Sequence, residues 1–94
     1  MFAIGWQDSG VVRLEGRLDA ASAPAAREFL ADVQGRCRLD FSRLDYIASA
    51  GLGILIAVQR RLLDGGGGLV LAGLSPHLRE VLDLAGFGGI FEFE

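Results

Sequence analysis

The chain has 94 residues, 51% of them hydrophobic, enough for one domain over residues 1–94 around one core and no second. Its formal charge is −3 and its nine cations, all arginine, are scattered rather than clustered, which leaves no electrostatic footprint for nucleic acid. The single cysteine, Cys37, has no disulfide partner and sits in an apolar alternation, so it reads as a buried structural thiol suited to a reducing cytoplasm.

Met1 is followed by Phe2-Ala3-Ile4-Gly5-Trp6-Gln7-Asp8, which lacks the basic start and apolar run of a signal peptide. The longest uncharged run, between Asp45 and Arg60, is shorter than the ~20 residues of a spanning helix. A soluble, cytoplasmic protein with no direct membrane insertion is expected. Phe2–Trp6 and Val11–Glu15 are strand-like and are separated by Gln7-Asp8-Ser9-Gly10, whose residues favour a reversal, so the chain opens with an antiparallel hairpin. Val12 and Leu14 alternate with Arg13 and Glu15, putting one side of the second strand toward the core. Gly16-Arg17-Leu18-Asp19 reads as a loop. Ser22 with Pro24 marks a helix start, and Ala25, Ala26, Phe29, Leu30 and Val33 give that helix a buried stripe.

After Gln34-Gly35-Arg36 closes the helix, Cys37, Leu39 and Phe41 alternate with Arg38 and Asp40 as a third strand. Ser42-Arg43-Leu44-Asp45 reads as a short irregular link into a strand end at Tyr46-Ile47. Ser49 is expected to cap the next helix, since a serine oxygen there accepts a bond from one of the first unpartnered amides. Behind it Leu52, Ile54, Leu55, Ile56, Ala57, Val58, Leu62 and Leu63 make the helix apolar nearly all round. A surface helix normally keeps one polar face, so the surplus is expected to meet the sheet, another helix or a partner protein. Four glycines, Gly65 to Gly68, end it, because each would give up more backbone freedom in a helix than any other residue. Leu69–Ala72 is an unbroken apolar run, as in a central strand covered on both faces. Ser75-Pro76 starts a third helix with Leu78, Val81, Leu82 and Ala85 as its stripe, Gly86 stops it, and Phe87–Phe93 is a last, aromatic strand.

A helix between each successive pair of strands after the hairpin gives parallel, right-handed crossovers. The expected fold is a single α/β domain with a mixed sheet of about five strands, three helices, and part of one sheet face thinly covered; the strand order is not fixed by the sequence.

Catalytic chemistry is thin. His77 is the only histidine and, beside Pro76, reads as a solvated surface residue with no nucleophile placed to pair with it. Cys37 and His77 do not make a metal-ligand set. Gly51-Leu52-Gly53 and the four-glycine run match neither phosphate-binding glycine pattern, and the chain has no lysine for a Walker motif. No catalytic residue, metal or cofactor is assigned, and a non-enzymatic role is expected.

Gly16-Arg17-Leu18-Asp19 before a Ser/Pro-started helix, then Leu39-Asp40-Phe41-Ser42, then Ile47-Ala48-Ser49-Ala50-Gly51-Leu52 ahead of an apolar helix, closely resemble the STAS domain, and within it the bacterial anti-sigma factor antagonists. The resemblance runs from about Val11 to Phe93 and is most specific between Leu39 and Leu55. It implies that Ser49 is the serine phosphorylated by a cognate anti-sigma kinase, that the unmodified protein binds the anti-sigma factor, and that a phosphatase resets the cycle. Asp19, Ala48, Ser49, Ala50, Gly51, Leu52, Ile54 and Val58 then form the expected partner surface. The chain departs from the family in having Ala48 where an acidic or hydroxyl residue often precedes the serine. It also stops at Glu94 where many members continue into a further helix, leaving part of the surface or core open or completed by another chain.

Plainer readings stand beside these: Ser49 as a helix cap and nothing more, Asp19 as an exposed loop carboxylate, Gly51 and Gly53 as points of close helix–sheet approach, and Ile54 and Val58 as core. The resemblance also allows two other functions, a STAS subunit docking on a membrane transporter and a small-ligand or nucleotide sensor.

Overall fold

The computed structural model describes all residues from Met1 to Glu94. The opening hairpin is β1 (Phe2–Asp8) and β2 (Val11–Leu18), antiparallel, turning through Gly10 at φ 80°, a left-handed conformation that suits glycine. Then follow α1 (Ala23–Leu30), β3 (Arg36–Ile47), α2 (Ser49–Asp64), β4 (Gly68–Ala72), α3 (Pro76–Leu84) and β5 (Glu92–Phe93). The sheet runs β1-β2-β3-β4-β5 in space as in sequence, with every pair after the hairpin parallel and crossed over by one helix. This is the mixed five-stranded α/β sheet with three helices that the sequence leads one to expect.

Three segments differ from expectation. Gly16-Arg17-Leu18 is strand, not loop: β2 runs on to Leu18 and only Asp19 begins the turn. Ser42-Arg43-Leu44-Asp45 is likewise strand, inside a twelve-residue β3. Against β2 the register of β3 slips twice, between Arg13/Glu15 and Gly16/Arg17, each time with an extra residue on β3. Each bulge shifts the inward face by one residue, so burial passes from Cys37, Leu39 and Phe41 to Leu44 and then Ile47. Finally, only Glu92–Phe93 of the expected last strand pair with the sheet; the residues from Phe87 turn before reaching β4. Within α1, Ala25 is exposed rather than part of the stripe, while Ala23, Ala26 and Leu30 are buried.

One core holds the domain together. Val12, Leu14, Leu39, Phe41, Leu69 and Leu71 on one sheet face meet Leu30 of α1, Leu55 and Leu62 of α2, and Leu78 and Leu82 of α3 in a single buried cluster. Part of the surplus apolar side of α2 packs against α1 while Leu63 stays exposed, and Arg61 of α2 donates to the carbonyls of Leu30, Ala31 and Val33 (2.7, 2.7 and 3.0 Å), closing the C-terminal end of α1. The end of α2 closes on itself: Gly66 at φ 86° lets Gly67 N–H reach the Leu62 carbonyl (2.8 Å) and Gly66 N–H the Leu63 carbonyl (3.0 Å). The opposite sheet face carries no helix. There Arg36 and Arg38 of β3 pair across β4 with Glu92 and Glu94, over a Val70 that is buried yet outside the core cluster.

Candidate functional site

The C-terminal ends of β2 and β3 lie side by side, with Leu18 paired to Ile47 and the Ala48 N–H donating to the Leu18 carbonyl at 2.8 Å. The chain turns from there into α2. Ala48, in extended backbone (φ −99°, ψ 170°), occupies the cap position, and its carbonyl accepts the Leu52 N–H at 3.0 Å. Ser49 is therefore the first residue of the helix and not its cap, which corrects the sequence expectation. A cap serine turns its oxygen back onto the first amides; Ser49 does not, no hydrogen bond within the chain ties down its hydroxyl, and the residue is exposed. The free N–H groups of this first turn leave the helix end receptive to negative charge.

The helix start is set against β2 by Gly51. A Cβ at that position would lie 2.6 Å from Leu18 Cγ and 3.1 Å from the Leu18 carbonyl oxygen, so only glycine permits the approach. Gly53 faces open space and has no such role.

Asp19 sits at the same end of the sheet. Its Oδ1 accepts the N–H groups of Ala21 (3.1 Å) and Ser22 (3.2 Å), while Ser22 Oγ accepts the Asp19 N–H (2.9 Å) and donates to the Arg17 carbonyl (2.8 Å). This is a reciprocal capping box in which Asp19 caps the turn leading into α1, so Ser22 marks the helix start by closing the box and not by capping. The Ser22 N–H is the largest influence holding the Asp19 carboxyl below its ordinary pKa, with smaller help from the Ser22 hydroxyl, the Ala21 N–H and Arg17 against a desolvation penalty. Arg17 Nε lies 3.8 Å from Asp19 Oδ2, and its guanidinium is 4.1 Å from the centre of the Tyr46 ring, stacked on the neighbouring strand.

Of the residues expected to meet a partner, Asp19, Ala48, Ser49 and Ala50 are accessible at this end of the domain. Gly51, Leu52, Ile54 and Val58 are buried, the last three at 8, 8 and 7% exposure within the core cluster, so they support the surface from beneath. The Arg17–Tyr46 stack escaped the sequence reading because Arg17 lay in a segment read as a loop and Tyr46 in a strand end whose partner strand was not fixed. The two bulges of β3 are what bring Tyr46 opposite Arg17. The arrangement offers no nucleophile paired with a base. What it presents is a free hydroxyl at a helix start, flanked by small residues, a carboxylate and a stacked arginine.

The family described as "Mlab, STAS domain" matches residues 2–92. Among similar proteins, BtrV of Bordetella bronchiseptica, assigned as an anti-sigma factor antagonist, is 43% identical over 82 residues, covering 83% of this chain and 71% of BtrV. The anti-sigma-B factor antagonist of Bacillus subtilis is 31% identical over 84 residues, covering 86% of this chain and 77% of that protein. Among solved structures, an anti-sigma factor antagonist from Mycobacterium paratuberculosis superposes with a TM-score of 0.79 at 25% identity, covering 99% of this chain and 83% of the other. The unphosphorylated form of the anti-sigma factor antagonist SpoIIAA gives 0.75 at 21% identity over 100% of this chain and 88% of its own, a likeness of fold.

Proposed function

The chain belongs to the STAS domain family, and on that premise we propose that it is an anti-sigma factor antagonist, a non-enzymatic module that binds an anti-sigma factor through the surface around Ser49. In this reading the anti-sigma factor is also the serine kinase that phosphorylates Ser49 and is thereby released, and a cognate phosphatase restores the binding form in the cytoplasm. The observation that carries the reading is the exposed, unbonded Ser49 hydroxyl on the first turn of α2, supported by the names of the relatives, which cover 83 and 86% of this chain.

Phosphorylation would add about −1.5 to −2 charges at this helix start. The free amides and the helix dipole favour an anion there by roughly 0.3–1 kcal/mol, so the fold tolerates the group. A partner seated over the same surface would instead have to desolvate a dianion, at several kcal/mol if nothing pairs with it. At ~1.4 kcal/mol per tenfold in affinity, this abolishes binding by charge, with no refolding.

The test is to incubate the protein with serine kinases encoded in the same genome, map any phosphate, and compare capture of the anti-sigma factor by the parent, Ser49→Ala and Ser49→Asp forms. Phosphate at Ser49, capture by the parent and Ser49→Ala, and loss of capture with Ser49→Asp are expected. Modification elsewhere, or equal capture by both variants, refutes the switch.

A further inference from the structure

The edge of the sheet is open along β1 from Phe2 to Trp6, up to a bulge at Gln7. β1 pairs only with β2, and from Phe2 to Gln7 it carries neither a charge nor a proline. Sheets commonly guard such edges with charge, proline or a covering element, because the unpaired backbone groups are a template for another strand. On the helix side of this edge, Ile4, Trp6 and Phe29 line a groove of ≈ 440 Å³ between β1 and α1. Trp6 is 54% exposed, with its ring 5.9 Å from that of Phe29 and inclined at 50°. The charged residues of the groove are both acidic, Glu28 on α1 and Asp32 in the turn that follows it, and neither forms an ion pair within the chain. Two carboxylates lining one groove repel, a cost that a bound cation removes.

We propose that this groove and edge together receive a basic, extended segment of a partner protein, whose backbone adds to β1 as a sixth strand and whose arginine or lysine side chain lies against Trp6 with its charge between Glu28 and Asp32. Each part of the occupant answers a feature of the site. The free strand edge takes a backbone, the indole takes a cation with an apolar stem, and the two carboxylates fix the sign of the charge. Trp6 pairs with Val12 at the start of β2, whereas Ser49 follows the far end of that strand beyond Leu18. Six residues of strand separate the two by about 20 Å, so both surfaces can be occupied together. The proposal is independent of the switch at Ser49.

The full chain, labelled with ¹⁵N, is titrated with a blocked heptapeptide of alternating valine and arginine and with its valine/glutamate counterpart. The arginine peptide is expected to shift the amides of Phe2–Asp8 and the Trp6 indole, and to quench Trp6 fluorescence. The double variant Glu28→Gln/Asp32→Asn should weaken this binding about tenfold or more, while Asp64→Asn/Glu80→Gln, with the same net charge, leaves it unchanged. The proposal is overturned by no response to the arginine peptide, by an equal response to the glutamate peptide, by shifts centred elsewhere, or by equal losses in both double variants. It is also overturned if β1 shifts with protein concentration alone, which would make a second copy of this chain the occupant.

Discussion

Replacing Gln59 by leucine breaks the one polar tie inside the core. Gln59 is 4% exposed; its Oε1 accepts the Leu69 N–H at 2.6 Å and its Nε2 donates to the Ile90 carbonyl at 2.8 Å, so one side chain joins α2 to the start of β4 and to the turn before β5. Leucine fills much of the same space and offers neither bond. The Leu69 N–H lies inside the domain, and orphaning it costs ~1–3 kcal/mol; the Ile90 carbonyl is nearer the surface and can turn to water, so its loss is nearer ~0.5–1.5 kcal/mol. The sum, about 1.5–4.5 kcal/mol, is a large share of the ~5–15 kcal/mol that holds a small domain together, and the midpoint of thermal unfolding should fall by ~6 °C or more. Urea unfolding followed by circular dichroism measures the change, and amide exchange at Leu69 locates it. Gln59→Glu separates the two bonds: its carboxylate keeps the acceptor for Leu69 but faces the Ile90 carbonyl with a charge, whereas the protonated acid donates to it. Its deficit relative to the parent should therefore shrink as the pH falls toward the ordinary glutamate pKa of ~4.3. A Gln59→Leu protein within ~0.5 kcal/mol of the parent, with Leu69 still protected, refutes the reasoning.

Arg61→Ala removes three bonds to the carbonyls closing α1 and, because Arg61 is exposed, should cost only about 1–2 kcal/mol; urea unfolding that shows no loss means water replaces the guanidinium freely. Gly51→Ala gains ~1 kcal/mol of helix propensity but overpacks against Leu18 by ~1–3 kcal/mol. A net loss of stability is expected, with amide shifts at Leu18 and Ala48; an unshifted spectrum means the helix start slides without cost. For Asp19 the folded carboxyl lies below its ordinary pKa, so the ionised form is the one the fold favours. Its contribution is complete above the ordinary value of ~3.9 and drains away as the pH falls through the lower folded value. Asn keeps the cap without titrating, so Asp19→Asn should show a flatter stability curve below about pH 4 than the parent; parallel curves refute the role.

The succession of elements and the helix count were legible because helices are marked by breaks in pattern, Pro24 and Pro76 near two starts, Gly65 and Gly86 near two ends; the order of the strands within the sheet was not, because it depends on pairing that no local pattern records. The length of β3 was not. Period-two alternation is read by counting, and two inserted residues reset the count after Phe41, so a polar stretch that is strand reads as link. The residues of the candidate site stand in the sequence as a string, Ala48 to Leu52, but their division into surface and support depends on which side of α2 meets α1, a tertiary fact. Gln59 was invisible, since a glutamine among apolar residues looks like the polar edge of a helix until its two partners, 10 and 31 positions away, are known. The Asp19 box was hidden in the same way: Ser22 looked like the cap, and it is the residue three places earlier that does the capping.

That Ala48 and not Ser49 stands at the threshold of α2 has a practical corollary. The backbone enters the helix without borrowing any oxygen from position 49, so removing the hydroxyl costs the fold no hydrogen bond. Alanine there should leave the melting curve almost where it was and aspartate should raise stability by no more than the ~0.3–1 kcal/mol the helix start grants an anion, so any loss of capture is a statement about the partner and not about the protein's own folding.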